Sequence, residues 1–370
     1  MRSSLPTIPG WALKLMKIKS GIWPRRRNKR GFRVTEQTPI RTIHVGVGRR
    51  GRWPLEVLSA DPRFQPAALV DVSLELLTEA QALTGLGESA SFTQLEEALA
   101  TVLADAVIIC TPTEFHSPLA RLAFQAGKHV LVEKGMTTNW QDAVALVAEA
   151  ESAGVRFCVS QNYRYRPEIV TLHAAIASGG YGTPHLIDLV HHRYRPTPRT
   201  LDYHFAMVWD MSVHHLDNLV FCFGPVAEVT ARSFTTPWSQ YSHDAGISGV
   251  LHFASGAVAT YAMSHIASLN DYRFVVQSAE GVLAWDGADW QWQATPDADF
   301  GKAQPPQAVP HAPAPARSEQ GVIDDFYRYI ADGIEPGISG RNNLEILRAC
   351  EMLCRSSREQ RTVRSDEVRP

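Results

Sequence analysis

The sequence contains little that would attach the protein to a membrane, a structural metal or a nucleic acid. Its five cysteines among 370 residues are scattered, mostly inside apolar segments, which is typical of buried thiols in a reducing compartment, so we expect a cytoplasmic protein. No apolar run is long enough to cross a bilayer, so no membrane partner is expected. Ten of the 36 Lys and Arg residues lie within the first 33 positions, where there is no acidic residue. The remaining chain is therefore acidic, which argues against nucleic-acid binding.

The basic segment at residues 1–40 matches no complete targeting signal. Lys14, Lys17 and Lys19 interrupt its apolar residues, and no continuous apolar stretch follows its arginines. A flexible tail, a start codon assigned too far upstream, and a weak contact with a membrane surface or a polyanion all fit this composition. We expect a disordered or misassigned leader. The chain as a whole, with 45% hydrophobic and 20% charged residues, is long enough for two domains with sizeable cores.

A glycine-rich turn at residues 46–51 gives the first indication of function. Gly46, Gly48 and Gly51 follow the pattern G-x-G-x-x-G between an apolar run at 43–47 and a helical segment at 53–59. In this arrangement the N–H groups of the helix can hold a pyrophosphate, while the glycines let the backbone approach it. The motif alone is weak evidence, because glycine turns connect many strands to helices.

Asp71 strengthens this interpretation because it ends the next apolar strand, 20 residues after the last glycine of the turn. A carboxylate at this position can bind the ribose hydroxyls of a dinucleotide and would repel a 2′-phosphate, so NAD is the expected cofactor. NADP stays open, because Arg49 and Arg50 in the turn could neutralise a phosphate. The alternative role for Asp71 is a solvated strand end, or a cap for the helix at 74–83.

Strands and helices alternate over residues 41–160, which predicts a doubly wound parallel sheet, that is, a Rossmann domain. Ligands bind beyond the carboxyl ends of the strands in such a sheet. We therefore expect four residues near strand ends to contact the cofactor, namely Thr111, Pro112, His116 and Glu133. A proline that starts a helix and a first-turn histidine without a ligand fit Pro112 and His116 equally.

From residue 161 the pattern changes. Residues 161–302 predict an α+β domain with a large, mainly antiparallel sheet, with hairpin turns at 255–256 and 280–281. Residues 303–316 contain five prolines and predict an irregular connector of polyproline II character. Helices at 319–331 and 342–358 form a closing unit at 317–360, and residues beyond 360 are expected to fray.

Six features occur in an order that resembles one protein family. They are the glycine turn, Asp71, Cys110-Thr111-Pro112-Thr113-Glu114-Phe115-His116, Glu133-Lys134, Asn162-Tyr163-Arg164-Tyr165 and Asp210-Met211-Ser212-Val213-His214. Over about residues 41–360 the chain is similar to the glucose–fructose oxidoreductase, inositol dehydrogenase and rhizopine-catabolism family, the Gfo/Idh/MocA group. The resemblance implies a Rossmann domain, a C-terminal domain with an open sheet, NAD or NADP, and redox chemistry at a carbinol carbon of a sugar, inositol or related polyol. It also implies a homodimer or homotetramer formed through the open sheet.

Three residues are expected to carry the chemistry. Lys134 follows a central strand next to the expected nicotinamide position, where it can hydrogen-bond the substrate oxygen and stabilise developing alkoxide charge. By resemblance, Asp210 is a substrate-binding partner and His214 is the general base, and a spacing of four residues places both on one helix face. The alternatives are a surface ion pair of Lys134 with Glu133, and an ion pair between Asp210 and His214 on the surface of their helix. Gly135 departs from the proline that the family commonly has.

Tyr163, Arg164 and His215 are the expected substrate-binding residues. Aromatic and guanidinium groups at the domain junction suit stacking and hydroxyl binding, although Arg164 fits an ion pair with Glu133 equally well. Histidines at 191, 192 and 204 lack a recognisable ligand spacing, so no metal is expected. Two alternatives remain for the function. One is an enzyme that retains its cofactor or acts on another carbonyl or imine, and the other is an NAD-binding sensor or scaffold without chemistry.

Overall fold

The computed structural model describes residues 38–197, 203–296 and 304–369. The first strand begins at Ile40, which is buried, so the folded domain starts one residue earlier than predicted. The rest of the predicted leader, residues 1–37, lies outside the described residues. None of the helices in the described ranges is long and apolar enough to span a bilayer.

The first six strands form one sheet in the order β3-β2-β1-β4-β5-β6, and every neighbouring pair is parallel. The strands are β1 Ile40–Val45, β2 Phe64–Val70, β3 Ser91–Phe92, β4 Ala106–Ile109, β5 His129–Val132 and β6 Phe157–Val159. The intervening helices are α1 Arg52–Ala60, α2 Leu74–Thr84, α3 Leu95–Thr101, α4 His116–Gln125 and α5 Trp140–Ser152. This order confirms the predicted doubly wound Rossmann sheet.

The strand order reverses between β1 and β4, and this is where a doubly wound sheet opens a crevice for a ligand. The glycine turn follows β1, and Thr111 comes two residues after the end of β4. Both therefore lie at the carboxyl edge of the sheet, on either side of the crevice. The β4 strand is buried along its whole length, as a central parallel strand requires.

The remaining strands form a second sheet in the order β14-β13-β12-β11-β7-β10-β9-β8-β15. Its strands are β7 Leu186–Tyr194, β8 Val226–Phe234, β9 Gly246–Phe253, β10 Val258–Ser264, β11 Ile266–Gln277, β12 Gly281–Trp285, β13 Trp290–Ala294, β14 Gln307–Ala308 and β15 Val363–Arg364. The associated helices are α6 Pro167–Ser178, α7 Val213–Phe223, α8 Ser318–Asp332 and α9 Gly340–Glu359. The predicted antiparallel character is confirmed except for β7 and β10, which pair in parallel.

The two faces of this sheet differ in burial. Leu189 and Tyr261 are buried beneath the helices, and Tyr261 is hydrogen-bonded to His215 of α7. Val190 and Ala262, the next residues along the same strands, are only partly buried. Alternate side chains of a strand point to opposite faces, so the described helices cover one face and leave the other open.

Both closing helices contact the Rossmann domain. In α8, Val322 and Phe326 pack with Ile108 and Leu131 of the parallel sheet. Helix α9 packs against β8 of the second sheet and against α7, and it also contacts α5 and β6. It therefore links the second sheet to the Rossmann domain.

The proline-rich segment was predicted to lack regular structure, and this prediction is wrong for part of it. Gln307 and Ala308 form β14, which pairs with β13, and the next residue, Val309, is buried. These residues lie between prolines, and their own N–H groups are available for hydrogen bonds. Further along, the N–H of Ala312 donates to the hydroxyl of Thr171, so the segment is held against α6.

The prediction that residues beyond 360 fray is also wrong. Val363 begins β15, which pairs with β8, and its side chain is fully buried. Val368 is buried as well, and the indole N–H of Trp140 donates to the carbonyl of Arg369. Two apolar side chains and one long-range hydrogen bond fix this end of the chain, and neither feature shows as local periodicity.

His44 in β1 provides a test of the parallel-sheet core. Its ring lies 2.9 Å from the hydroxyl of Thr42, both side chains are buried, and burial lowers the pKa of His44 to about 3. The unfolded chain therefore binds more protons below pH 6.5, and the free energy of unfolding falls as the pH drops toward 3. We expect His44→Gln to reduce the loss between pH 7.5 and pH 5 by about 2 kcal/mol, measured by urea denaturation. The exposed His252 of β9 is the control for the same substitution, and an unchanged pH dependence in His44→Gln would contradict the expectation.

Candidate active site

The glycine turn is compact because two of its glycines lie against other backbone. Gly46 has a φ of +80°, and a Cβ on it would lie 2.8 Å from the carbonyl carbon of Cys110. A Cβ on Gly51 would lie 1.7 Å from the carbonyl oxygen of Gly46. Side chains at these two positions would force the turn away from β4. The turn therefore has the close backbone approach that a dinucleotide site requires.

Asp71 has a structural function in addition to the predicted one. Its carboxylate accepts hydrogen bonds from the N–H groups of Val47, at 2.9 Å, and Ser73, at 3.0 Å. It thus ties the glycine turn to the end of β2, while Ser73 caps α2. A carboxylate has about four acceptor positions, so Asp71 retains capacity for ribose hydroxyls. Arg49 and Arg50 are exposed beside it.

The segment after β4 contains one side chain with an unpaired polar atom and one side chain whose polar atoms are both paired. The hydroxyl of Thr111 is buried and has no hydrogen-bond partner in the described part of the chain. His116 is fully buried, and its ring nitrogens lie 2.7 Å from the carbonyl oxygen of Gly135 and 2.8 Å from that of Thr111. The predicted cofactor contact of His116 is therefore wrong, because both nitrogens face backbone carbonyl groups. Pro112 precedes the short 3₁₀ turn Thr113–Phe115.

The residues around the crevice fit an adenine dinucleotide. The glycine turn is compact because its glycines lack Cβ atoms that would clash with the backbone of Cys110 and of Gly46, and Asp71 offers acceptor capacity beyond its two backbone donors. The buried, unpaired hydroxyl of Thr111 provides a further polar group at the same edge of the sheet. An orphaned buried hydroxyl costs free energy unless a ligand pairs with it. These residues therefore have the chemistry to hold the sugar and phosphate groups of the cofactor.

Lys134 joins the two domains. Its ammonium donates to the carboxylate of Asp210, at 2.5 Å, and to the carbonyl oxygen of the same residue, at 2.8 Å. The side chain is buried, which excludes the alternative of a solvated surface cation. The peptide bond between Lys134 and Gly135 is cis. A Cβ on Gly135 would lie 2.7 Å from the carbonyl oxygen of Trp209, so glycine allows this close contact between the domains.

Glu133 supports Lys134 through the backbone. Its carboxylate accepts from the indole N–H of Trp53, at 3.1 Å, and from the backbone N–H of Lys134, at 3.0 Å. The predicted alternative, an ion pair between the Glu133 carboxylate and the ammonium of Lys134, is not formed. The structure gives Glu133 a bracing function where a cofactor contact was predicted. Trp53 follows the glycine turn by two residues, and the sequence offered no signal for this contact.

Asp210 lies in a π-helical turn rather than in the same regular helix as His214, as its spacing of four residues from His214 had predicted. The turn spans Val208–Ser212, and α7 follows it directly. Such turns change the phase of a helix and occur often at functional sites. Here Lys134 reaches both the side chain and the carbonyl oxygen of Asp210. Burial raises the pKa of Asp210, but the ammonium of Lys134 outweighs burial and holds that pKa below its ordinary value.

His214 is buried at the same site. Its ring stacks on Tyr163 with a centroid distance of 3.9 Å, and its Nδ1 atom has no hydrogen-bond partner among the described residues. Burial, reinforced by the charge of Lys134, holds the pKa of His214 well below the ordinary range. The imidazole is therefore neutral near pH 7, as a general base must be.

Two of the three predicted substrate-binding residues are used inside the protein, and these predictions are wrong. Arg164 is buried and forms a two-point ion pair with Asp217 of α7, not with Glu133. His215 is fully buried, and its ring nitrogens are each 2.8 Å from a partner, His191 in β7 and Tyr261 in β10. Both ring nitrogens of His215 and two of the three guanidinium nitrogens of Arg164 are therefore engaged inside the protein.

Tyr163 lies at the site, but it cannot stack on a sugar as predicted. His214 covers one face of its ring, and the guanidinium carbon of Arg166 lies 3.5 Å from the ring centroid. Two groups this close to one centroid must occupy opposite faces. The Tyr163 hydroxyl is therefore the part that is left for a substrate. No pattern in the sequence indicated that Arg166 would lie here.

Within the described residues, no three His, Cys, Asp or Glu side chains are arranged to hold a metal ion. Cys350 and Cys354, four residues apart on α9, are both free thiols and both buried. Burial raises the pKa of each thiol, which keeps the thiolate form that binds metals from accumulating.

The Rossmann sheet, its glycine turn and the second sheet define a two-domain oxidoreductase that binds a nicotinamide dinucleotide. Residues 40–161 match the oxidoreductase family with an NAD-binding Rossmann fold, and residues 169–284 match the C-terminal domain of the same family. The two matches together cover more than half of the chain. The protein therefore belongs to the Gfo/Idh/MocA oxidoreductase family, which confirms the resemblance and the NAD-binding domain.

Several characterised proteins are similar to this chain. D-apiose dehydrogenase of Paraburkholderia graminis is 29% identical over 279 residues, which cover 70% of this chain and 72% of the relative. An NADP(+)-dependent scyllo-inositol 2-dehydrogenase of Bacillus subtilis is 23% identical over 73% of this chain and 81% of its own. Among solved structures, aldose-aldose oxidoreductase from Caulobacter crescentus, complexed with glycerol, has a TM-score of 0.77 at 22% identity, covering 88% of this chain and 100% of its own. At this identity the structural likeness concerns the fold.

The contact between Gly135 and Trp209 can be tested with one methyl group. In Gly135→Ala the new Cβ meets a backbone oxygen, so either the strand end or the π turn must shift. We expect a loss of about 1–3 kcal/mol in the free energy of unfolding, together with weaker positioning of Lys134 against Asp210. Chemical denaturation measures the first effect, and a crystal structure of the variant measures the second.

Gly87→Ala is the matched control, because Gly87 has a negative φ and nothing lies within 4 Å of the position its Cβ would take. This substitution should change stability by no more than about 0.5 kcal/mol. Equal stabilities of the two variants would show that the contact between Gly135 and Trp209 is not restrictive.

Proposed function

We propose that this protein is an NAD-dependent dehydrogenase that transfers hydride between nicotinamide and a carbinol carbon of a sugar, inositol or related polyol. The observation that carries the proposal is the contact of Lys134 with Asp210 beside the neutral imidazole of His214. The activities named for the relatives, on D-apiose and scyllo-inositol, favour a polyhydroxylated substrate.

Lys134, Asp210 and His214 each have a separate role in the proposed reaction. A bound nicotinamide would supply the acceptor for the hydride of the carbinol carbon. His214 accepts the proton of the substrate hydroxyl, so the alcohol loses a hydride and a proton and becomes a carbonyl compound. Lys134 donates a hydrogen bond to the same oxygen and stabilises the negative charge that develops there. Asp210 holds Lys134 in place and has acceptor capacity for a second substrate hydroxyl.

Asp71 favours NAD over NADP in this proposal. Its carboxylate lies at the end of β2 and would repel the 2′-phosphate of NADP. Arg49 and Arg50 act in the opposite direction, because both are exposed and free to turn toward such a phosphate. A second candidate function is an NAD-binding sensor or scaffold. It is disfavoured because Lys134 and His214 are both present, and because the lowered pKa of His214 keeps its imidazole neutral, as a general base requires.

We also propose a homodimer or homotetramer formed through the open face of the second sheet. Val190 and Ala262 lie opposite each other in the β7–β10 ladder and are only partly buried there. Apolar side chains on an uncovered sheet face are typical of an interface. Sedimentation velocity at micromolar concentration measures the assembly state, and a monomer would contradict the proposal.

Substitution of the two central residues tests the catalytic assignment. We expect Lys134→Met and His214→Asn each to lower kcat/KM by about 10²–10⁴-fold on a panel of sugars and inositols with NAD, because each removes a proton donor or acceptor from the reacting oxygen. NAD affinity, measured by calorimetry, should change far less, since neither side chain is expected to bind the adenosine half. Lys128→Met, at the other end of β5, is the control.

Wild-type turnover in both catalytic variants would overturn the assignment. NAD binding without turnover of any compound in a broad panel would instead favour the sensor or scaffold. Mass spectrometry of gently denatured protein would reveal copurified nicotinamide if the enzyme retains its cofactor between reactions.

The pH dependence of kcat/KM provides an independent test of His214. Since the pKa of His214 is held well below 6.5, the imidazole stays in its basic form as the pH falls through the ordinary histidine range. We therefore expect kcat/KM for alcohol oxidation to be level between pH 8 and pH 6.5, with an acid limb at lower pH. An acid limb centred at or above pH 6.5 would assign the base to a different group.

A further inference from the structure

Arg193 is a half-buried arginine beside the candidate active site. It lies in β7, two residues after His191, so both side chains point to the face of the sheet that α7 covers. Its guanidinium reaches the sulfur of Met211 at 3.9 Å, and Met211 adjoins Asp210 in the π turn. No carboxylate lies within ion-pair distance of Arg193 in the described ranges. A thioether is a weak acceptor, so this contact does not compensate the charge.

A second guanidinium, that of Arg166, lies close enough for its charge to lower the pKa of His191, as the charge of Arg193 does. Arg166 covers the face of Tyr163 that is opposite to His214, and its nearest carboxylate oxygen, on Glu168, is 3.8 Å away. The side chain of Arg166 is 40% exposed, so it can turn toward a ligand. Arg193 and Arg166 therefore border the region that contains Asp210 and His214.

The charges around this region do not balance. Lys134 is paired with Asp210, and Arg166 is only loosely paired with Glu168, which leaves Arg193 without a counter-ion among the described residues. The excess positive charge affects the neighbouring His191. Burial is the largest cause that lowers the pKa of His191 to about 3, and the charge of Arg193 is the second largest. A neutral polyol would leave this positive charge half buried and uncompensated.

We propose that the substrate carries an anionic oxygen group, a carboxylate or a phosphate, and that Arg193 and Arg166 bind it. This inference rests on the oxidoreductase function proposed above and narrows its substrate class to acidic sugars or polyols. A guanidinium presents parallel N–H donors that match both groups, and its charge strengthens each hydrogen bond. The anion would lie beside Met211, while the carbinol carbon faces Lys134 and His214.

Binding to the NADH-loaded protein tests the inference without relying on turnover. Calorimetric titrations compare matched compounds, namely D-glucose with D-glucuronate and D-glucose 6-phosphate, and myo-inositol with an inositol monophosphate. We expect an anionic member to bind at least about 10-fold more tightly than its neutral counterpart, because a hydrogen bond to a charged group contributes about 1.5–3 kcal/mol. The comparison of glucuronate with glucose 6-phosphate distinguishes a carboxylate site from a phosphate site.

Arg193→Met keeps the length of the side chain and removes its charge. It should weaken binding of the preferred anion about 10–100-fold and leave the affinity for the neutral counterpart within about 3-fold. The control is Arg341→Met. Arg341 is exposed at the start of α9, and its ion pair with Glu151 lies on the surface, where such a pair contributes little to stability.

Equal affinities within the matched sets, or an anion affinity that Arg193→Met leaves unchanged, would overturn the inference. Turnover of neutral polyols that depends on Lys134 but not on Arg193 would overturn it while the proposed function stands. Anion-selective binding that Arg193→Met abolishes, in a protein that oxidises none of the compounds, would support the anion site and contradict the dehydrogenase function alone.

Discussion

The hydrogen bonds of Lys134 to Asp210 are the contact on which the rest of the site depends. One partner follows a strand of the parallel sheet, and the other lies in a π turn that precedes a helix of the second domain. A buried ammonium needs a counter-charge, and a buried carboxylate needs a donor, so each group makes the position of the other favourable. The pair therefore sets the spacing of the two domains at the point where cofactor and substrate must meet.

The same pair determines the electrostatics of its neighbours. The charge of Lys134 adds to burial in lowering the pKa of the His214 imidazole, which keeps that ring neutral near pH 7. The carboxylate of Asp210 interacts most strongly with Lys134 and more weakly with the charge of Arg195. Arg193 has no carboxylate within ion-pair distance in the described ranges.

Much of the fold and part of the site could be predicted from the sequence. The Rossmann strands and helices follow from apolar periodicity, and the grouping of Lys134, Asp210 and His214 follows from motifs with a family resemblance. The sequence could not show which polar side chains pair inside the protein. Arg164 meets Asp217 across 53 positions and His215 meets Tyr261 across 46, so their apparent availability to a substrate disappears only in the tertiary structure. The ordered tail and the strand in the proline-rich segment likewise depend on distant partners.

Gly135 illustrates why the departure from the family's common proline need not loosen the lysine. A φ restraint on the residue after Lys134 is one way to aim its side chain. In this chain two acceptors on Asp210 orient the side chain of Lys134 instead. The carbonyl of Trp209 occupies the space that a Cβ at position 135 would take. Contacts between the domains, rather than a local backbone restraint, thus orient the side chain of Lys134. The position of the Lys134 ammonium then depends on the two domains staying docked, so any motion that separates them also moves the ammonium away from Asp210.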